Sequence, residues 1–365
     1  MVVPQLDRVG GYEIQALQLS TSLVQGGNLV TILTDHSSHF THKEFRSGFV
    51  IYRVPFRSKP TRWNVFFSLL SFLVRKRRLY DVVHVHGVTG FSLVASRIAW
   101  WLGLPVLVKA ATKGDFSSIF SKQDGKHKRY QKWLQKVACF VAVSEELKQE
   151  IVACGLPEAK IRRIPNFVNT VKYVSCLEER KKALRAKRGI EDNRVIFLYL
   201  GRLVERKGVE YLLQAWQKAH LGTLWIVGSG ENEEKLKRFS SEMQLKDIEF
   251  HGVTQAPLDF YQSADVLVFP SLAEGSPNAL LEALSCGIPC IATEIGGVID
   301  VVQDRQQGLL VPPQSAEALA AAIQTMSSDP KERIKWGEEA ARLMRRSYDV
   351  SVVSAQYVKL YDTLV

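Results

Sequence analysis

The run Val195-Ile-Phe-Leu-Tyr-Leu200 is followed by Gly201-Arg-Leu-Val-Glu-Arg-Lys-Gly208 and then by Val209-Glu-Tyr-Leu-Leu-Gln-Ala-Trp-Gln-Lys-Ala219. It reads as a strand, a cationic loop bounded by glycines, and a helix. An unbroken apolar run suits a strand covered on both faces, as in parallel sheets. The alternation continues downstream. Strands are expected at Leu224–Val227, Ile248–Phe250, Val266–Phe269, Ile288–Ala292 and Leu309–Val311, with helices at Glu233–Gln244, Leu258–Gln262, Pro277–Cys286 and Ala316–Met326. Upstream, strands are expected at Val30–Leu33, Phe49–Val54, Val82–Val85, Val106–Val108, Phe140–Val143 and Ile161–Ile164. Helices at Tyr12–Gln25, Trp63–Arg78, Phe91–Leu102 and Glu145–Cys154 separate them. This pattern predicts an α/β protein of two doubly wound domains facing each other, divided near Asn169. Only Val2 and Val3 precede the turn toward Gly10-Gly11, so the first strand reads as clipped.

The chain has 365 residues, a natural length for two domains. Its net charge of +11 points to an acidic partner: nucleic acid, an anionic membrane or a phosphorylated substrate. The cations cluster at Arg75–Arg78, in a looser patch of Lys122, Lys126, Lys128, Arg129, Lys132 and Lys136, and at Lys181, Lys182, Arg185, Lys187 and Arg188. The five cysteines are scattered, which argues against a zinc site or disulfide framework and fits a reducing compartment. No signal-peptide core and no bilayer-spanning run is evident. The apolar stretch Trp63–Val74 suits a buried or interfacial helix instead.

In such sheets ligands bind beyond the carboxyl ends of strands, so the loops after strands carry the chemistry. Arg202 and Lys207 could hold a diphosphate, one as a bidentate fork and the other as a point charge. Solvated loop cations are the plainer reading. Glu274-Gly-Ser-Pro-Asn-Ala-Leu-Leu-Glu282 follows the expected strand Val266–Phe269. Ser276 suits an N-cap and Pro277 the first helical position, so Glu274 precedes a helix and Glu282 rides on it. Amides near Asn278, Ala279 and Leu280 would meet an anion at that helix start. The segment alone leaves two readings open: one ligand spanning both acids, or a core helix with an edge carboxylate. Gly228-Ser-Gly230 is half a dinucleotide fingerprint and weak as such. Gly10-Gly11 opens the first long helix, where a ligand could approach the backbone. His84 and His86 share one strand face; a metal pair lacks a third ligand nearby, and His86 reads better as a polar residue at a cleft edge. The sequence has no phosphate loop, no nucleophile elbow and no Asp-x-Asp pair for a divalent ion.

Taken together, the motifs resemble those of family 4 retaining glycosyltransferases of the GT-B fold, over nearly the whole chain. The residues are Gly10-Gly11-Tyr-Glu13, Asp81-Val-Val-His-Val-His86, Val141-Ala-Val-Ser-Glu-Glu146, Ile164-Pro-Asn-Phe-Val-Asn169, Gly201–Gly208, Ala264-Asp265 before Phe269-Pro-Ser271, and Glu274–Glu282. The resemblance implies two Rossmann-like domains across a cleft: residues 1–169 on the acceptor side, 170–349 binding the nucleotide sugar, and a helix in 350–365 crossing back to the first domain. It implies Glu274, Arg202 and Lys207 as catalytic, with Arg202 and Lys207 on the donor diphosphate and Glu274 near the reacting sugar. Glu282 would bind the ribose. Gly10, Gly11, Gly228, Ser276, Pro277, Asn278, Ala279 and Leu280 would line the donor, and Gly252 and Val253 the base. Departures exist. The stretch Val108-Lys-Ala-Ala-Thr-Lys-Gly-Asp115 lacks a histidine common in relatives, which leaves Lys109, Lys113 and Asp115, with His86, as acceptor-side candidates. Phe167 stands for Gly, Asn169 for Asp, and Ser276 for an aromatic residue.

The expected activity is transfer of a hexosyl group from a UDP- or GDP-linked sugar to an acceptor hydroxyl in polysaccharide or glycolipid synthesis. Retention is expected, with no cofactor and no metal. The expected location is cytoplasmic and peripheral to the membrane, with a sugar or lipid-linked acceptor. The basic patches and Trp63–Val74 suggest an anionic membrane surface as partner; no nucleic acid is expected. Two rivals stand beside this reading. One is a GT-B relative with other chemistry, a nucleotide-sugar epimerase or sugar-phosphate synthase. The other is a non-enzymatic basic protein that binds nucleic acid or membrane.

Overall fold

In the computed structural model, the strand Ile196–Leu200 lies in the middle of a six-stranded parallel sheet. Across the sheet the order is Ile248–Gly252, Thr223–Val227, Ile196–Leu200, Val266–Phe269, Cys290–Thr293, Gly308–Val311. The chain winds outward from Ile196–Leu200 to one edge, then returns to start the other half at Val266. The switch point therefore lies between Ile196–Leu200 and Val266–Phe269, and ligands of doubly wound sheets sit beyond such points. The helix Val209–Ala219 covers one face with Leu212, Leu213 and Trp216 buried, while Asn278–Ser285 covers the other.

The structure describes all residues except 5, 7–9, 36–41, 55–61, 111, 113, 122–123, 191–193, 220 and 276. Lys113, Lys122 and Ser276 thus lie outside the described residues, as do the side chains of Trp63 and Lys126. The chain forms two compact units: Met1–Asn166 with Val350–Val365, and Phe167–Asp349.

The first unit has its own sheet. Val2 bridges Leu33 on one side and Val85 on the other. The order is Lys43–Arg46, Phe49–Val54, Thr31–Asp35, Val2, Val83–His86, Val106–Ala110, Cys139–Ala142, Ile161–Arg163. All pairings are parallel except that of Lys43–Arg46. This exposed hairpin strand has no apolar run and was not anticipated. The helix Val350–Asp362 belongs to this unit. It packs on the helix Gly11–Gln25, with Ser22 and Ser354 hydroxyls 2.8 Å apart and the Tyr361 hydroxyl 2.7 Å from His84 Nδ1.

The Asp265 of the Ala264-Asp265 motif has a structural role. Its carboxylate accepts from Arg185 Nη2 at 2.6 Å, Lys181 Nζ at 2.7 Å and the Ile196 amide at 2.8 Å. Burial pushes its pKa up, but Lys181 and Arg185 overrule it and hold the carboxyl below its ordinary range. Asp265→Ala removes the charge partner of a buried arginine, and should cost about 3 kcal/mol of stability in urea denaturation. Asp265→Asn, which keeps the shape, should cost less.

Candidate active site

The loops after the two switch-point strands meet. Gly208 adopts a left-handed φ of 65°, and a Cβ there would fall 2.1 Å from the Pro270 carbonyl oxygen. Leu272 donates its amide to the Arg206 carbonyl at 2.8 Å. The contact brings Lys207, at the end of a short 3₁₀ turn, onto Glu274. The ammonium donates to Oε1, and both side chains are largely buried. Arg206 Nη1 stands 3.9 Å from the same oxygen. Burial lowers the pKa of Lys207 while Glu274 pulls it back up. The Glu274 backbone is packed from behind: a Cβ on Gly297 would lie 2.7 Å from its carbonyl oxygen and 2.6 Å from that of Gly275. The Thr293 hydroxyl donates to the Ser271 carbonyl in the same loop.

Glu282 is placed differently. The helix runs Asn278–Ser285, with Pro277 as its N-cap at φ −85°, ψ 96°. Pro277 is therefore one position earlier than the first helical residue expected for it. The first helical bond runs from Leu281 N to the Pro277 carbonyl, so the amides of Asn278, Ala279 and Leu280 precede the ladder. Glu282, one turn on, accepts from the Tyr261 hydroxyl at 2.9 Å, with the Tyr173 phenol close by. Burial raises its pKa, opposed by those two phenols.

Arg202 has an exposed side chain on the same loop as Lys207, and its carbonyl accepts from the Tyr199 hydroxyl at 2.8 Å. Gly228 and Gly230 serve packing: Cβ atoms there would lie 1.9 Å from the Gly201 carbonyl and 2.3 Å from that of Leu203. These glycines let two loops touch, which accounts for the half fingerprint. Gly252 has φ 64° and open space around it, and Val253 is exposed.

In the first unit, Gly10 caps the helix Gly11–Gln25. Glu13 turns back onto the backbone of Gly10 and itself, the acidic half of a capping box. Tyr12 reaches the loop after Val106–Ala110, with its hydroxyl 2.5 Å from Thr112 Oγ1 and 3.2 Å from Asp115 Oδ2. Asp115 also accepts the Thr112 amide. Glu150 fixes this loop by accepting the amides of Gly114, Phe116 and Ser117 at 2.9–3.2 Å. Lys109 and His86 are 1% exposed. His86 is therefore not the cleft-edge group expected from the sequence, and Lys109, an expected substrate contact, is buried as well: the helix Val350–Asp362 brings Tyr357 against Lys109, and Tyr357 and Tyr361 against His84, which stacks on His86. His84 and His86 stack at 4.3 Å. Among the described residues no cluster of three His, Cys, Asp or Glu could hold a metal.

Residues 9–172 match the model described as Glycosyltransferase Family 4, and residues 180–343 match that described as Glycosyl transferases group 1. The chain belongs to the family 4, group 1 glycosyltransferases. An uncharacterised glycosyltransferase of Methanocaldococcus jannaschii is 27% identical over 341 residues, covering 88% of this chain and 86% of the relative. The Escherichia coli UDP-Gal:alpha-D-GlcNAc-diphosphoundecaprenol alpha-1,3-galactosyltransferase is 29% identical, covering 72% and 70%. Anabaena HepE, solved in complex with UDP and glucose, superposes with a TM-score of 0.82 at 16% identity, covering 99% and 98%. The fold is GT-B.

Several residues around this candidate site carry little sequence signal. Arg206 lies between Arg202 and Lys207 without a motif of its own, Tyr173 and Tyr261 are distant in sequence from Glu282, and Gly297 belongs to a later loop. A Gly296-Gly297 pair opening a short helix was the one signal available. Gly297→Ala should press on Glu274 and Gly275, and cost about 1–3 kcal/mol in thermal or urea melts.

The buried imidazoles set a pH dependence. Burial first, then Lys109 and the amino terminus, hold both far below the ordinary range, with His86 adding to the effect on His84. The unfolded chain takes up protons near pH 6.5 where the fold does not, so stability should fall as pH drops below about 6.5. The slope is at most about 1.4 kcal/mol per pH unit for each ring. Lys109, pushed down to about 7 by burial, costs stability below about pH 7, and that cost is relieved as pH rises toward the ordinary lysine range. His86→Phe should flatten the acid side in urea melts at several pH values. An unchanged slope would show that His86 does not contribute.

Proposed function

We propose that this glycosyltransferase moves a sugar from a nucleotide diphosphate donor to a hydroxyl of a lipid-linked sugar acceptor, with retention and without metal. The observation that carries the reading is the Lys207–Glu274 pair beyond the switch point, beside the exposed Arg202 and the leading amides of the helix Asn278–Ser285.

In the transfer, the bond between the sugar's anomeric carbon and the diphosphate oxygen breaks as the acceptor oxygen bonds to that carbon. The acceptor proton passes to the departing phosphate oxygen. Negative charge grows on the diphosphate, where Lys207, Arg202 and the helix amides are placed to meet it. These groups supply the positive charge that a metal would otherwise bring. To Glu274 we assign the carboxylate that stabilises an oxocarbenium-like carbon. Glu282, held by two phenols, is suited to accept from a ribose diol. The lipid-linked acceptor is supported by the Escherichia coli relative, which acts on a diphosphoundecaprenol sugar. A cytoplasmic, membrane-peripheral setting fits five free thiols and the lack, among the described residues, of any helix long and apolar enough to cross a membrane.

A thermal-shift panel of UDP-, GDP- and ADP-sugars should pick out one donor by a raised midpoint. Glu274→Gln should reduce turnover by about 100-fold or more with the donor shift retained, and Glu282→Ala should shrink the donor shift itself. Turnover should persist in a chelator. Wild-type kinetics in both variants would defeat the site assignment, and conversion of donor without acceptor would favour epimerase chemistry.

A further inference from the structure

We infer that the surface of the first unit formed by the helices Arg62–Lys76 and Gly90–Trp101 docks on an anionic lipid bilayer. The inference rests on reading the acceptor as lipid-linked. Residues 45–114 contain twelve lysines and arginines and a single acid, Asp81, while the rest of the chain has 36 of each sign. The whole net charge of +11 therefore resides in this one segment.

The same segment exposes large apolar side chains. Phe67 is 57% exposed and Trp101 53%, with Trp100, Val74 and Leu79 also on the surface. The apolar stripe of Arg62–Lys76 does not account for them, because Leu69 and Leu73 are buried in the core. Phe67 and Trp101 belong to one patch: the Phe66 ring meets both, at 5.7 and 6.3 Å. Arg77 donates to the Leu102 carbonyl at 2.6 Å, which joins the basic run Arg75–Arg78 to the end of the tryptophan helix. Cations lie against both indoles, Arg97 at 5.0 Å from Trp101 and Lys136 at 4.5 Å from Trp100.

Aromatic rings flanked by arginine and lysine, at the end of a helix and in a segment with a single acid, match the headgroup layer of an anionic membrane. There the rings enter the interface while the cations meet phosphate. A second copy of the chain fits poorly, since the face would repel itself. Base stacking needs open ring faces, and cations occupy a face of each indole. Docking would confine the enzyme to the surface that presents a lipid-linked acceptor.

The test is sedimentation of the full chain with vesicles of phosphatidylcholine alone and of phosphatidylcholine mixed with phosphatidylglycerol, over a range of salt. Binding should be confined to the anionic vesicles and should weaken with salt. Replacing Arg75, Arg78 and Arg97 by serine should lower partitioning by about 100-fold. Trp101→Ser with Phe67→Ser should lower it by about tenfold or more while leaving the salt dependence in place. The serine substitutions are at exposed positions, so thermal midpoints should stay near wild type. Equal binding to both vesicle types, no binding to the anionic ones, or wild-type binding by either variant would overturn the inference. So would an equal affinity for duplex DNA that is insensitive to the aromatic substitutions. The donor thermal shift, measured on the same samples, separates the two claims. Donor binding without vesicle binding defeats the docking face alone, and vesicle binding without any donor shift defeats the transfer reading alone.

Discussion

The lateral pairing of Ile196–Leu200 with Val266–Phe269 is the constraint on which the second unit depends. These strands are 66 or more residues apart in sequence, and each sends its chain away from the other. Their carboxyl-end loops are thus left side by side with no crossover between them. Gly208 can then rest on Pro270, and Lys207 can reach Glu274. At the opposite end of the same pair, Asp265 binds the amide of Ile196 together with Lys181 and Arg185. One pair of strands is pinned by charge at both ends, and the two ends differ in purpose. The Asp265 cluster closes on protein groups. The Lys207 end lies where a doubly wound sheet binds ligand.

A buried ion pair contributes little net stability, because removing both charges from water offsets most of their attraction. On the proposed reading, Lys207 and Glu274 matter through what such a pair would provide to chemistry: a desolvated cation already in position, with no reorganisation needed when charge develops nearby. The two glutamates of the segment show how surroundings divide one residue type. Glu274 faces a lysine and an arginine, whereas Glu282 faces two neutral phenols and has its pKa raised by burial. One is coupled to the cations that would hold a diphosphate. The other presents a carboxylate already engaged with hydroxyl donors.

The strands were readable because buried parallel strands are short apolar runs with turns at their ends, and Phe49–Val54 and Val266–Phe269 appear with the boundaries their residues suggest. Lys43–Arg46 was not readable, since an exposed antiparallel edge strand has no such run. The loops of the second-unit site were legible as loops after strands, and Lys207 and Glu274 as their charged residues. Their partnership was not, because spacing along the chain carries no information about which strands become neighbours. The same limit hid Tyr261 and Tyr173 from Glu282. The burial of His86 and Lys109 was hidden for a different reason. A strand's carboxyl end predicts an exposed position only while nothing covers it, and here a helix from the far end of the chain does.

Charge has the same two-level character. In the loops after the switch-point strands two of the three cations have an acid at hand: Lys207 and Arg206 face Glu274, and Glu205 lies in the same turn, while Arg202 is exposed. A site built this way can receive a diphosphate without leaving a large surplus when it is empty. The overall basicity of the protein therefore does not arise from these loops. It arises from 45–114, where cations meet almost no acid and where aromatic rings reach the surface. Unbalanced charge costs folding energy through self-repulsion. Its concentration in one segment of the first unit, rather than dispersal over both units, is the physical motive for the membrane face proposed above.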